Sequence, residues 1–555
     1  MSGAPGEKGT CLQKAKELTT TVEGQRDGLL DTGSTPVYST LMSKSLTNNL
    51  KYVILFIGAF LPLLFMSKNS PLYPFNDWYD INQYFTVGRG ILYGKVPYVD
   101  LIDQKGPYLY LLGSVAYLFS HTTFLGWFIL EVINLFVFSV FTDRTIRLYL
   151  PDFKYSYYSV PILCTVIVSC EGFQHGGSAE EFSLGILSLA LYNIMRALHE
   201  NKSMDAKIVF LNGILAGIVF WTKYSMTGLF IVFVLFMVIY SENKLRLVLL
   251  FLAGVSASTL PLVIYFGVNN AIGEWLKVYF YENIFGYGHM RSRALPEIII
   301  SVFKCLGSFI FSRGNIALFL VFVSVLLLLV LPRKICGLLI REKICIVLMV
   351  LISSMGVYAG GFDFGYYGMV LCVYLVFGIL PLPMLIVFVS DKIRHKSESF
   401  ELKASGIIVC LAAITVNIVV LTAGITISDN VRMIGADPTQ MPQFIFADII
   451  SRAPENRRVV LNYGFLDEGV YTILDQVPEM KYFASLNGKY EESLQIQEGY
   501  IKEGIPDFVL TFYPVTADEE TMKNVPVLQD NYRLVAYKVY LIEGNYSTFG
   551  LWEKN

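Results

Sequence analysis

The chain has 555 residues, 54% hydrophobic and 16% charged, with a formal net charge of −2. Soluble domains carry roughly a quarter charged residues, so an ordinary soluble protein is excluded, and the absence of any basic block excludes a nucleic-acid partner. Long, continuously apolar runs exclude a transmembrane barrel, whose strands alternate, and leave a polytopic α-helical membrane protein.

Residues 1–50 are polar and unperiodic, without the short apolar core of a secretory signal, and read as a disordered cytoplasmic tail. From there to 429 runs a transmembrane domain. Apolar period and charged edges predict eleven crossings, near 51–67, 122–141, 158–170, 182–198, 207–222, 226–241, 247–268, 315–332, 344–359, 367–389 and 404–427. With the N-terminus cytoplasmic, the inner connections hold 16 cationic residues and the short outer ones a single cation, Lys223. That bias orients the chain in a cell membrane, as expected for a bacterial plasma membrane. The first outer loop, 69–121, the 269–314 loop and everything after 430 then lie outside the cytoplasm. The apolar run 107–119 is too short to cross and is expected to lie partly embedded at the membrane surface. Residues 430–555 change character: "RRVVLNYG" and "PDFVLTFYP" read as short strands and "ESLQIQEGYIKEG" as a helix, together an extracytoplasmic α/β domain.

The first outer loop is unusually polar. Asp77, Asp80 and Tyr84 are spaced to share one helical face, and "GRG" at 88–90 breaks that helix. Asp100 and Asp103 follow three apart, then Lys105 and the stop at Gly106-Pro107. Interleaved with them are Tyr73, Trp78, Tyr79, Tyr93 and Tyr98. A solvated loop needs no purpose for its charges. Acids among interfacial aromatics are partly desolvated, however, which raises a carboxylate's pKa and basicity and suits it to general-base work.

Elsewhere the alternatives stay open. Glu180 and Glu181 head the fourth crossing, where acids either favour a helix N-terminus or bind substrate. Lys223 either snorkels from a helix end or meets a ligand. Arg291 and Arg293, with His289, sit in a long outer loop whose role is solvation or a lid. Asp363 follows Gly-Gly and fits a turn. No His or Cys spacing supports a metal site, and no cysteine pair has zinc or redox spacing, so neither cofactor nor disulfide is expected.

The element "D-x-x-x-Y" at Asp80 and Tyr84, followed by "G-x-x-x-Y-x-D-x-x-D-x-K-G-P", resembles the first outer loop of GT-C membrane glycosyltransferases. The likeness is to the bacterial branch related to protein O-mannosyltransferases and lipid A aminoarabinose transferases. In that family the acidic element supplies the catalytic acid, carried here onto Asp80. The family's closing "E-K-P-P" maps onto Asp103, Lys105 and Pro107, with Gly106 where many relatives have proline. "GGSAEEFSLGILSLALYNIMRAL" (176–198), "GILAGIVFWTKYSMTGL" (213–229) and "GFDFGYYGMVLCVYL" (361–375) are similar to later family elements in the expected order.

The resemblance implies transfer of a sugar from a polyprenyl phosphate carrier to an envelope glycan, lipid or protein, usually with inversion. Asp80 would take the proton of the acceptor hydroxyl. Lys105 would meet the lipid phosphate, with Arg89, Arg291 or Arg293 as substitutes. A transporter or flippase of lipid-linked sugars is disfavoured because charges within the crossings are scarce. An oligosaccharide polymerase or ligase is disfavoured because the acidic cluster follows the first crossing.

Overall fold

The computed structural model describes residues 36–151, 155–200, 204–287, 294–380, 402–486, 489–542 and 545–555. The chain divides into two units, Met1–Ile54 and Leu55–Asn555. Among the described residues the first holds the start of helix α1, Pro36–Met66. The second holds all that follows.

Helices run in chain order as α2 (Tyr79–Leu92), α3 (Pro107–Phe119), α4 (Leu125–Tyr149), α5 (Val160–Val168), α6 (Leu184–Glu200), α7 (Ala206–Thr222), α8 (Gly228–Tyr240), α9 (Lys244–Val268), α10 (Leu295–Phe311), α11 (Ile316–Val330), α12 (Ile340–Tyr358) and α13 (Leu402–Ile427). Four stretches among the described residues are long and apolar enough to cross a membrane: Asn49–Met66, Leu125–Tyr149, Ala179–Glu200 and Lys244–Val268. Seven shorter apolar helices accompany them, so the multi-pass character is plain while the expected eleven crossings are not resolved as eleven long helices. Several are built from pieces. The expected crossing at 158–170 is a 3-10 turn followed by the nine residues of α5. That at 367–389 begins as the 3-10 helix Gly365–Leu375, and its last part lies outside the described residues. Between 269 and 314, expected as a loop, the chain forms a π-helical segment, Lys277–Tyr287, and the amphipathic α10. Helix α10 buries Val302, Cys305 and Phe309 and leaves Ile300, Phe303 and Phe311 exposed. Its polar Glu297, Lys304 and Ser308 hide that stripe from a search for continuous apolarity.

Small residues let helices approach and so place the polar loops. A Cβ at Gly213 of α7 would lie 2.1 Å from the Phe251 carbonyl oxygen of α9, and one at Gly254 would lie 2.2 Å from that of Phe210. This is the small-residue packing used where no hydrophobic drive separates helix from lipid. It fixes the end of α7, and with it Lys223. Helix α3, thirteen residues long, packs Gly113 against the Tyr84 carbonyl of α2 and leaves Leu111, Val115, Leu118 and Phe119 exposed.

The C-terminal part is an α/β domain. Strands β1 (Val460–Tyr463), β2 (Phe508–Tyr513), β3 (Tyr532–Ile542) and β4 (Asn545–Lys554) form one sheet in the order β1-β2-β4-β3, with β1 and β2 parallel and the other pairs antiparallel. Both expected strands and the expected helix, Tyr490–Lys502, are present. Leu461, Ile501, Val509, Leu528 and Trp552 make its core. The β3–β4 hairpin, with strands of eleven and ten residues, was not foreseen. Its alternation is broken by the register shift at Leu534/Ala536.

Candidate active site

Asp80 stands in the first turn of α2, and Tyr84 lies one turn on. The Tyr84 hydroxyl donates to Asp80 Oδ2 at 2.9 Å, and Lys105 Nζ reaches the same oxygen at 2.9 Å. The Lys105 ammonium also sits 5.5 Å from the centre of the Tyr84 ring. Three residues expected at the site therefore meet, brought together by the return of the chain from α2 to α3.

Lys105 is held there by its backbone. Tyr98 donates its hydroxyl to the Lys105 carbonyl at 2.7 Å, and Asn283 donates to the Gln104 carbonyl at 2.7 Å. Gly106 donates its amide to the Thr222 carbonyl at 3.2 Å, and a Cβ there would fall 2.0 Å from the Trp221 carbonyl oxygen. Any residue larger than glycine collides with the end of α7, and proline would also lose the donor. Glycine at 106 is thus dictated by how closely this loop meets α7.

One residue beyond α7, Lys223 pairs with Glu180 at 2.5 Å and lies 3.6 Å from the centre of the Tyr367 ring. A cavity of about 120 Å³, open to solvent, takes both Lys105 and Lys223 into its wall, with Tyr224, Tyr279, Asn283 and Tyr367. Lys223 and Glu180 thus belong with the Asp80 cluster. The aromatic wall from the 365–368 "GYYG" turn and the π-helical segment was not named residue by residue from sequence. Asn283 and Tyr279 carry no pattern that could have found them.

The electrostatics correct one expectation. Burial alone would raise the Asp80 carboxyl. The Lys105 charge, with hydrogen bonds from Lys105 and Tyr84, outweighs it and holds Asp80 below the usual carboxylate range. Burial does win at Asp103, which is 5% exposed and is pushed up to about 6, although Lys105 and the Tyr110 hydroxyl at 2.8 Å oppose it. Lys105 is raised well above an ordinary lysine, because Asp80 and Tyr84 outweigh its burial. Lys223 is lowered, by burial first and by the neighbouring Lys105 charge, against the pull of Glu180.

Other expected site residues point elsewhere. Asp77 precedes α2 rather than sharing its face, because the Asn76 side chain accepts from the Trp78 amide and turns the chain before the helix begins. Asp77 instead pairs with Lys68 at 2.6 Å, both buried. Asp100 accepts the Val96 amide at 2.7 Å and closes a turn. Glu181 accepts the Gly177 amide at 2.7 Å and shares a hydrogen bond with Glu131 of α4, away from the cavity. Arg89 is fully buried and donates to the carbonyls of Tyr471 and Gln476 at 2.5 and 2.8 Å in the C-terminal domain. No anion of a carrier reaches it there. Arg291 and Arg293 lie outside the described residues. Asp363 is exposed beside the cavity's Gly360 and Phe362.

This arrangement of helices, acid-bearing first loop, lysine-walled cavity and C-terminal sheet is similar in fold to a solved protein. ArnT from Cupriavidus metallidurans, solved bound to undecaprenyl phosphate, superposes on this chain with a TM-score of 0.56 at 12% identity, over 91% of this chain and 97% of that one. No family model matches the chain, and no curated protein matches it in sequence.

Proposed function

We propose that the protein is an inverting GT-C glycosyltransferase. It moves a sugar from a polyprenyl phosphate carrier to an envelope glycan, lipid or protein on the extracytoplasmic face of the membrane. The observation that carries this reading is the pairing of Lys105 and Lys223 in one cavity at the lip of the helices, with Asp80 bound to the first. Two ammonium groups suit a phosphate monoester or diester. The ArnT structure, which holds undecaprenyl phosphate on the same fold, supports the same ligand class.

In this reading the donor phosphate competes with Asp80 for Lys105. As the ion pair loosens, Asp80 loses the charge that holds its pKa down and becomes a better base when the donor is in place. The acceptor hydroxyl attacks the anomeric carbon from the face opposite the phosphate and its proton passes to Asp80. The bond from the anomeric carbon to the phosphate oxygen breaks, and polyprenyl phosphate leaves with its new charge neutralised by Lys105 and Lys223. A single displacement inverts the anomeric centre. Lys223, whose pKa burial and the Lys105 charge lower, gains a second anionic partner beside Glu180 when the phosphate enters.

Asp80→Asn tests it. Transfer, followed by mass spectrometry of envelope glycans and by release of undecaprenyl phosphate from its sugar-loaded form, is expected to fall by about 10²- to 10⁴-fold, with membrane insertion intact. Turnover near that of the parent removes Asp80 from the base role.

A further inference from the structure

Helix α2 carries two polar faces. Asp80 and Tyr84 look toward Lys105. Asn82, Thr86 and Arg89, spaced four and three apart, look with Gln83 toward the C-terminal domain. The Thr86 hydroxyl donates to Asp467 Oδ2 at 2.6 Å, and the Asp467 amide donates to Gln83 Oε1 at 3.1 Å. Thr472 donates to Asn82 Oδ1 at 3.3 Å, and Arg89 adds an ion pair with Asp475 at 3.4 Å to its two carbonyl bonds within the C-terminal domain. Gly469 stands at φ +91°, where a Cβ would lie 2.3 Å from the Phe75 ring and 2.4 Å from Asn82 Oδ1. Only glycine lets the loop come this close.

The same domain grips the other half of the ion pair. The Ile102 amide, three residues before Lys105, donates to the Lys481 carbonyl at 3.0 Å. Lys489 pairs at 3.2 Å with Glu282, next to the Asn283 that holds the Gln104 carbonyl. Helix α2 has only fourteen residues, two of them glycines, and no side-chain cap at its start. A helix so short and so weak in propensity takes its register from tertiary contacts. The fully buried Arg89 also donates to the His121 carbonyl at 3.2 Å, but it would lose two of its three carbonyl acceptors and its carboxylate partner if the C-terminal domain moved away.

We propose that the C-terminal α/β domain is a positioning part of the catalytic centre. Its 467–481 segment sets the placement of Asp80 against Lys105, through Thr86 and Arg89 on one side and Ile102 on the other. This rests on the reading of Asp80 and Lys105 given above, but its test does not need turnover. In the full-length protein, acylation of the Lys105 amine by a water-soluble reagent is followed by mass spectrometry. Thr86→Val and Arg89→Gln are expected to label Lys105 about tenfold faster than the parent as the pair opens, and Thr86→Ser, which restores the hydroxyl, is expected to label at the parental rate. Where turnover is measured, release of undecaprenyl phosphate should fall by roughly 10- to 100-fold in the first two variants. The acid limb of its pH profile should also move upward, because Asp80 freed from Lys105 regains a higher pKa. Should Arg89→Gln fail to fold, Thr86→Val, one hydroxyl replaced by a methyl, still carries the test. Lys105 labelling and acid limb unchanged in Thr86→Val overturn the proposal, even where its Tm is lower. Faster labelling in a protein whose parent shows no sugar transfer upholds the clamp and sinks the proposed reaction instead.

Discussion

The two lysines of the cavity wall each pair with a carboxylate, yet their pKa values shift in opposite directions. Lys105 and Asp80 are 13% and 15% exposed and meet at 2.9 Å, and the Tyr84 hydroxyl donates to the same Asp80 oxygen. Lys223 and Glu180 are 18% and 1% exposed and meet at 2.5 Å beside two tyrosine rings. Lys105 is raised because its carboxylate partner and Tyr84 outweigh burial. Lys223 is lowered because burial, compounded by the charge of Lys105, outweighs Glu180. Proximity to a carboxylate therefore does not decide a buried lysine's state; the sum of all charges facing it does. One lysine is a fixed cation, and the other is one whose charge an incoming anion would favour.

The deepest break in this comparison comes from Lys105→Ala. It removes the fixed cation, and donor use is expected to fall by about 10²- to 10³-fold, with acceptor dependence much less affected, as read from donor and acceptor titrations. Lys223→Met tests the other member. Turnover should fall by only about tenfold, while stability drops by roughly 3–5 kcal/mol because Glu180 is left as an uncompensated buried charge. A melting curve and a donor titration separate the two effects. Equal losses of turnover in the two variants would erase the distinction between the pairs.

Gly106→Ala leaves every charge in place and changes only the spacing between the pairs. The added methyl, 2.0 Å from the Trp221 carbonyl in the unrelaxed structure, should push the Lys105 loop from α7. The expected cost is roughly 1–3 kcal/mol, with a rise in donor KM larger than any change in acceptor KM.

Asp103→Asn is expected to give the smallest effect. The Asp103 carboxyl titrates near 6 in the fold, above its ordinary 3.8, so the folded state binds more protons than the unfolded state between those values. Stability should therefore decline as pH rises from about 4 to about 6. The asparagine variant should lose that slope, on the order of 1–2 kcal/mol, in melting curves recorded across the interval. A slope that survives assigns it to another group.

Much of the site was legible because it is local. Asp80 and Tyr84 are one helical turn apart, and Lys105 follows within the same loop, so the first polar segment names three members of the cluster. Spacing failed where direction matters. Asp77, Asp100 and Arg89 carry the right chemistry in the right segment, yet a turn before α2 withdraws the first, a tight turn consumes the second, and α2 points the third at a domain almost 400 positions away. The raised basicity expected for loop acids appears at Asp103 rather than Asp80, because a lysine 25 residues downstream folds back onto Asp80.

By itself the sequence determined the class of molecule: apolar runs demand helices in lipid, composition marks where the α/β domain begins, and a short polar stretch concentrates acid, amine and tyrosine. Tertiary structure alone decided which acids meet which lysines, that α7 and the 365–368 turn complete the cavity, and that the C-terminal domain grips α2. Periodicity fixes which face of an element a residue occupies. What lies opposite that face depends on how distant elements pack, and it is the charges lying opposite that set each group's protonation and reach.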